Sequence, residues 1–170
     1  MFNRTHIIPP MRPRLVVLLM LALLPVACSS SKPPSTFSVT GASVDATYFC
    51  PGGASDARYD LHGAVDVRNG TRGEVTIQSI SADMTLVAVQ GAWLEKVGER
   101  YDAGDATFTP HSVGAGSAST VEITISSSCT SDRYESGGSS HADYAVAMHL
   151  VTSAGSFSVT ARNHHTIVAA

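Results

Sequence analysis

The chain has 170 residues, 44% hydrophobic and 15% charged, with eleven Lys plus Arg against fourteen Asp plus Glu for a net charge of −3. No basic run occurs after residue 27, which argues against nucleic acid or an anionic lipid surface as a partner, since both require clustered Lys and Arg. The length suits one domain with a core of its own, and at 6% aromatic residues that core must come mostly from Val, Ile, Leu and Ala. Ser, Thr, Gly and β-branched residues crowd the region after Lys32, a composition that favours strands over helices.

At the amino terminus, Arg12 and Arg14 precede the apolar run from Leu15 to Leu24. Ten residues are too few for a stable transmembrane helix and fit the h-region of a secretory signal. Met11-Arg12-Pro13-Arg14 by itself makes a compact positive n-region. The run leads into Pro25-Val26-Ala27-Cys28 and then Ser29-Ser30-Ser31. Here the sequence resembles bacterial lipoproteins, whose lipobox ends in a Cys that is lipidated and becomes residue one. The resemblance implies a signal peptide over residues 1–27 and lipid on Cys28, the acyl chains anchoring the protein in a membrane. It also implies a cell-envelope location, and Ser29 would permit sorting to the outer membrane or cell surface. The alternative is an ordinary signal cut near Ala27, with Cys28 incidental.

Removal of residues 1–27 takes away Arg4, Arg12 and Arg14, leaving eight Lys plus Arg against fourteen acids, a net charge of −6. With Cys28 assigned to lipid, Cys50 and Cys129 remain. In an oxidising compartment that pair reads as one disulfide. Its closed loop of 79 positions would contribute roughly 4–4.5 kcal/mol on the loop-entropy model. Two separate thiols or half a metal site is the alternative, with no CxxC pair behind it.

Residues 28–36 read as a flexible tether, with Pro33 and Pro34 and no periodicity. A domain over 37–170 follows. Phe37 to Phe49 reads as an edge strand, split where Gly41 breaks the alternation. Tyr59, Leu61, Val65 and Val67 alternate, Asn69-Gly70 is a turn signal, and Val75 and Ile77 resume, which together predict a β-hairpin. Further strands are expected over Asp83–Val89, around Ala106–Thr109, over Thr120–Ser127 with Cys129 in the inward phase, through Tyr144–Leu150 and through Phe157–Ala161. Thr166–Val168 is expected to extend that last edge. Thr130–Ser140 is a Ser/Gly-rich loop.

Seven or eight short strands separated by turns predict an all-β antiparallel sandwich. The Val65-Asp-Val-Arg-Asn-Gly run with its following Val-x-Ile, and Gly114-Ala-Gly-Ser117 ahead of Val121-x-Ile-x-Ile125, resemble the immunoglobulin-like modules of bacterial envelope proteins. If Tyr59–Val67 is strand B and Val121–Ser127 strand E, Cys50 and Cys129 fall in connections that emerge at one end of the sandwich and can meet.

Chemistry is sparse. Met148-His149 and His164-His165 invite a copper or zinc reading, but no H-x-H or Met-rich tract supports it, and His62 and His149 fall in the outward phase of their strands. No Gly-x-Ser-x-Gly elbow precedes a helix. Asp102 with Asp105, or Glu95 with Glu99, could flank a glycosidic bond, yet they sit in polar loop sequence. Tyr48, Trp93, Tyr101, Tyr134 and Tyr144 could stack on sugars, with Trp93 more naturally a lid over the end of the core. The sequence therefore reads as a non-catalytic, lipid-anchored envelope module that binds or supports, with no cofactor, its partners being the membrane and an envelope protein or polysaccharide. A periplasmic copper- or zinc-binding protein and a carbohydrate-binding module are the alternatives. The leading reading predicts a shallow cleft free of clustered titratable groups.

Overall fold

The computed structural model describes residues 36–51, 55–130 and 140–169. They form eleven strands and no helix: β1 Phe37–Val44, β2 Thr47–Cys50, β3 Ser55–Asn69, β4 Val75–Gln90, β5 Arg100–Asp105, β6 Thr107–Thr109, β7 Ser112–Val113, β8 Ala118–Thr130, β9 Ser140–Thr152, β10 Gly155–Thr160 and β11 His165–Ala169. One sheet has the order β1-β3-β8-β6 and the other β2-β11-β9-β4-β5, with β10 on β9 and β7 on β4. These are the A-B-E-D and G-F-C orders of an immunoglobulin-like sandwich, the second extended by a C′ strand. Strand A is split into β1 and β2, and strand G into β10 and β11. Apart from the short β7, the segments thus fill eight strand positions. All pairings are antiparallel except β2 with β11, which run parallel.

Period-2 alternation builds the core. Tyr59, Leu61, Val65 and Val67 on β3 and Val121, Ile123, Ile125 and Cys129 on β8 face inward and are buried. Leu61 lies opposite Ile125, and Val65 opposite Val121. Ala142, Tyr144, Val146, Met148 and Leu150 of β9 meet them from the other sheet, the interleaving expected of facing sheets. Gly63 shares the inward phase because β1 comes too close for a side chain: a Cβ there would sit 2.9 Å from the Ser43 carbonyl oxygen.

The split of strand A follows the sequence. The β1–β3 register shifts between Val39 and Gly41, where the alternation breaks. Beyond Val44 the chain changes sheets. The Asp45 amide donates to the His62 carbonyl on β3, and the Thr166 amide donates to the Ala46 carbonyl from β11, both at 2.8 Å.

Three expectations are corrected. The Tyr59–Ile80 hairpin does not form, because β3 and β4 belong to different sheets. The Asn69 amide donates to the Ser117 carbonyl and the Gly70 amide to that of Thr36, while the Ile77 amide goes to the His111 carbonyl. The turn is therefore a crossing between layers. Val75–Ile80 and Asp83–Val89 are one strand, β4, whose register shift at Ile77/Ser79 restores the inward phase after Ile77, as a β-bulge does, with a second shift at Leu86/Ala88 where the buried positions end. Finally, β11 does not extend an edge but lies between β2 and β9. Of the expected Thr130–Ser140 loop, residues 131–139 lie outside the described residues, as do the signal segment, Cys28 and Tyr134.

Candidate functional site

Cys50 closes β2 in one sheet and Cys129 lies near the end of β8 in the other. The two are bonded, with Cα atoms 6.0 Å apart. The disulfide expected from the sequence thus clamps the two layers at one end of the sandwich.

A cleft of about 290 Å³ opens beside it. Its walls come from the β4–β5 loop (Trp93, Glu95), β5 (Tyr101, Asp102), β8 (Ser126 to Ser128) and β9 (Tyr144), with both cysteines at its base. Gly91 starts that loop with a φ of 84° and passes so close to β9 that a Cβ would lie 2.4 Å from Ser140 Oγ. The Ala92 amide donates to the same oxygen at 3.1 Å, which anchors the loop that carries Trp93.

Within the cleft, donors and acceptors form a chain. Trp93 Nε1 donates to the Tyr144 hydroxyl at 2.7 Å, and that hydroxyl donates to Glu95 Oε2 at 3.4 Å. The Tyr101 and Tyr144 rings stand nearly perpendicular, at 81° with centroids 5.9 Å apart. The Tyr101 hydroxyl donates to Met84 Sδ. Burial pushes the phenol of Tyr101 up, and that of Tyr144 likewise, so both act as neutral hydroxyls. Among the described lining residues there is no Lys, Arg or His, and Glu95 and Asp102 are the carboxylates. The expectation of a cleft without clustered titratable groups is corrected by this wall. The pairs singled out in the sequence do not meet there as pairs: Glu99 accepts from the Lys96 amide, and Asp102 from the Gly104 amide.

The histidines and methionine weighed for metal are dispersed. Met148 is buried in the core. His149, its neighbour on the strand, faces the opposite side and bonds to Asp83 and Ser158. His164 is exposed. His165 is buried, with Nδ1 donating to the Asp45 carbonyl at 2.8 Å and Nε2 accepting from the Tyr59 hydroxyl at 3.1 Å. Burial lowers its pKa against the opposing pull of the Asp45 carbonyl. Tyr48, weighed for sugar stacking, instead stacks on Tyr59 at 3.9 Å.

Sequence spacing also concealed a Ser-His-Asp row. Ser158 Oγ lies 2.9 Å from His149 Nδ1, and His149 Nε2 lies 2.6 Å from Asp83 Oδ2. Asp83 also pairs with Arg100, whose hydrogen bond, ahead of the one from His149, holds the carboxyl below its usual range. The row crosses β10, β9, β4 and β5 on their outward face. A nucleophile needs a concave site with oxyanion donors and a carboxylate committed to the imidazole. Here the carboxylate is shared with a guanidinium, and the row is a ladder of cross-strand polar pairs.

No family model matches the sequence, and no curated protein matches it. Among solved structures, the chain is similar to the major subunit AggA of type I aggregative adherence fimbriae from Escherichia coli, at 11% identity over 78% of this chain and 93% of that one, with a TM-score of 0.30. It is also similar to PapD-like domain 7 of human CEP192, at 13% identity over 99% of this chain and 94% of that one, with a TM-score of 0.26. Neither superposes closely, and the immunoglobulin-like arrangement stands on the chain's own strand order.

Proposed function

We propose that this chain is a non-catalytic binding module of a bacterial envelope, held to the membrane by lipid on Cys28 and presenting the cleft at its disulfide end to an envelope component. The observation that carries the reading is that cleft: a rigid, disulfide-clamped end of the sandwich where Trp93, Tyr101 and Tyr144 converge with carboxylates and hydroxyls. Concave sites with aromatic walls and a few placed polar groups are where proteins bind small ligands. The Cys50–Cys129 bond supports export, because such bonds persist in oxidising compartments. The Arg12–Cys28 segment supports the anchor.

The test uses the full chain, lipid included, incubated with envelope extract beside an Ala103→Phe variant, which puts a bulky ring at a cleft-lining residue of β5 at the irregularity of the β4–β5 ladder. Retention of a component by the parent and its loss from a folded variant is expected. Equal retention by both would overturn the reading. In the same cells, Cys28→Ser is expected to move the protein from the membrane fraction to the soluble one.

A further inference from the structure

We propose that the cleft takes an organic cation of the alkylated-ammonium class, seated against the rings of Trp93 and Tyr101 with Glu95 as its counter-ion. The inference deepens the reading of the cleft as a binding site and rests on it.

Three features select this ligand chemistry. Trp93 and Tyr101 line the cleft, with Tyr144, only 2% exposed, packed edge to face against Tyr101 behind them, and aromatic ring faces attract cations. Glu95 is oriented from behind by the Trp93–Tyr144 hydrogen-bond chain, so the carboxylate is positioned by neutral groups. Asp102 lies near enough to Arg100 to raise its pKa, but the first influence on that guanidinium is Asp83, its bonded partner. With no basic residue among the described lining, the cleft presents negative charge that a cationic ligand would complement and an anionic one would not. At about 290 Å³ it sits at the lower end of small-molecule sites, which start at roughly 300 Å³. That volume suits a head group and not an extended glycan.

Trp93 is the single tryptophan of the chain, so its emission reports the cleft directly. The full chain is titrated with choline, with 3,3-dimethylbutan-1-ol (the neutral carbon isostere of choline) and with methyl glucoside. Broadening of the choline N-methyl proton line serves as a second readout independent of Trp93. Saturable binding of choline is expected, at least about tenfold tighter than the isostere, and weakened several-fold in Glu95→Gln with the circular dichroism spectrum unchanged. Equal binding of choline and the isostere, or an unaltered choline affinity in Glu95→Gln, would overturn the cation assignment. Saturation by the glucoside alone would overturn it too while leaving the cleft a binding site. Absence of binding by all three probes overturns it outright, whereas the reading of the cleft itself falls only if the envelope-retention test fails.

Discussion

Asn69 Nδ2 donates to the Val113 carbonyl at 2.8 Å, across 44 residues of sequence. The same amide group donates to the Gly73 carbonyl and, through its oxygen, accepts from the amide and hydroxyl of Thr71. One side chain, fully buried at 0% exposure, thus closes the turn after β3 and ties it to β7. Asn69→Ala would leave the Val113 carbonyl short of a donor in a buried site, whereas the exposed Gly73 carbonyl keeps the Thr71 hydroxyl as a donor. An unmet buried group costs about 1–3 kcal/mol, and a loss of that size is expected in urea unfolding. A loss under about 1 kcal/mol would show that water replaces the amide.

This residue also marks where sequence reading stops. Asn-Gly after an alternating strand signals a two-strand turn because both residues tolerate positive φ. What decides the pairing is where the amides of Asn69 and Gly70 go, and their acceptors, Ser117 and Thr36, are remote in sequence. The inward phase of β3, β8 and β9, the break at Gly41 and the pairing of the two cysteines were legible, because alternation and thiol chemistry are local or few-bodied. The cleft was not. Trp93, Tyr101 and Tyr144 sit on a loop, an edge strand and a central strand, each unremarkable by itself, and only the packing of the sheets brings them together. The buried role of His165 was hidden likewise, since its partners Asp45 and Tyr59 lie at the opposite end of the domain sequence.

The bond between Cys50 and Cys129 joins the layers and floors the cleft. Opening it releases a loop of 79 residues, which by the loop-entropy model costs roughly 4–4.5 kcal/mol. Paired Cys50→Ser and Cys129→Ser substitution is expected to lower the thermal midpoint and to shift Trp93 emission before global unfolding. Unchanged thermal midpoints with and without reductant would contradict the clamp.

Gly91 holds a φ of 84° with no room for a Cβ beside Ser140. Gly91→Ala carries the left-handed backbone penalty, about 1–2 kcal/mol, and in addition a clash. Adding Ser140→Ala should recover only the part of the clash that falls on Oγ, because close approaches of 3.0 Å to the Ser140 Cβ and 3.2 Å to its Cα remain and the φ cost is intrinsic to the residue. The double-mutant cycle isolates that part from the Ala92 hydrogen bond that Ser140→Ala also removes. If the second substitution restored full stability, the conformational part of the argument would fail.

His165 supplies the pH dependence. It is 1% exposed, its Nδ1–H is committed to the Asp45 carbonyl, and its Nε2 faces the Tyr59 hydroxyl. Protonation would place a charge among the stacked Tyr48 and Tyr59 rings, and burial accordingly lowers its folded pKa from 6.5. The unfolded chain then takes up a proton that the folded one refuses. Stability is therefore unaffected by this group well above pH 6.5, declines as pH falls below that value, and stops declining once the folded pKa is passed. The slope from one proton is at most about 1.4 kcal/mol per pH unit. Urea midpoints measured between pH 8 and pH 5 should fall in the parent. In His165→Phe, which keeps the ring stack but cannot titrate, that part of the slope should vanish although overall stability is also reduced by the loss of two hydrogen bonds. Parallel slopes in the two proteins would mean that the buried imidazole is not the group responsible.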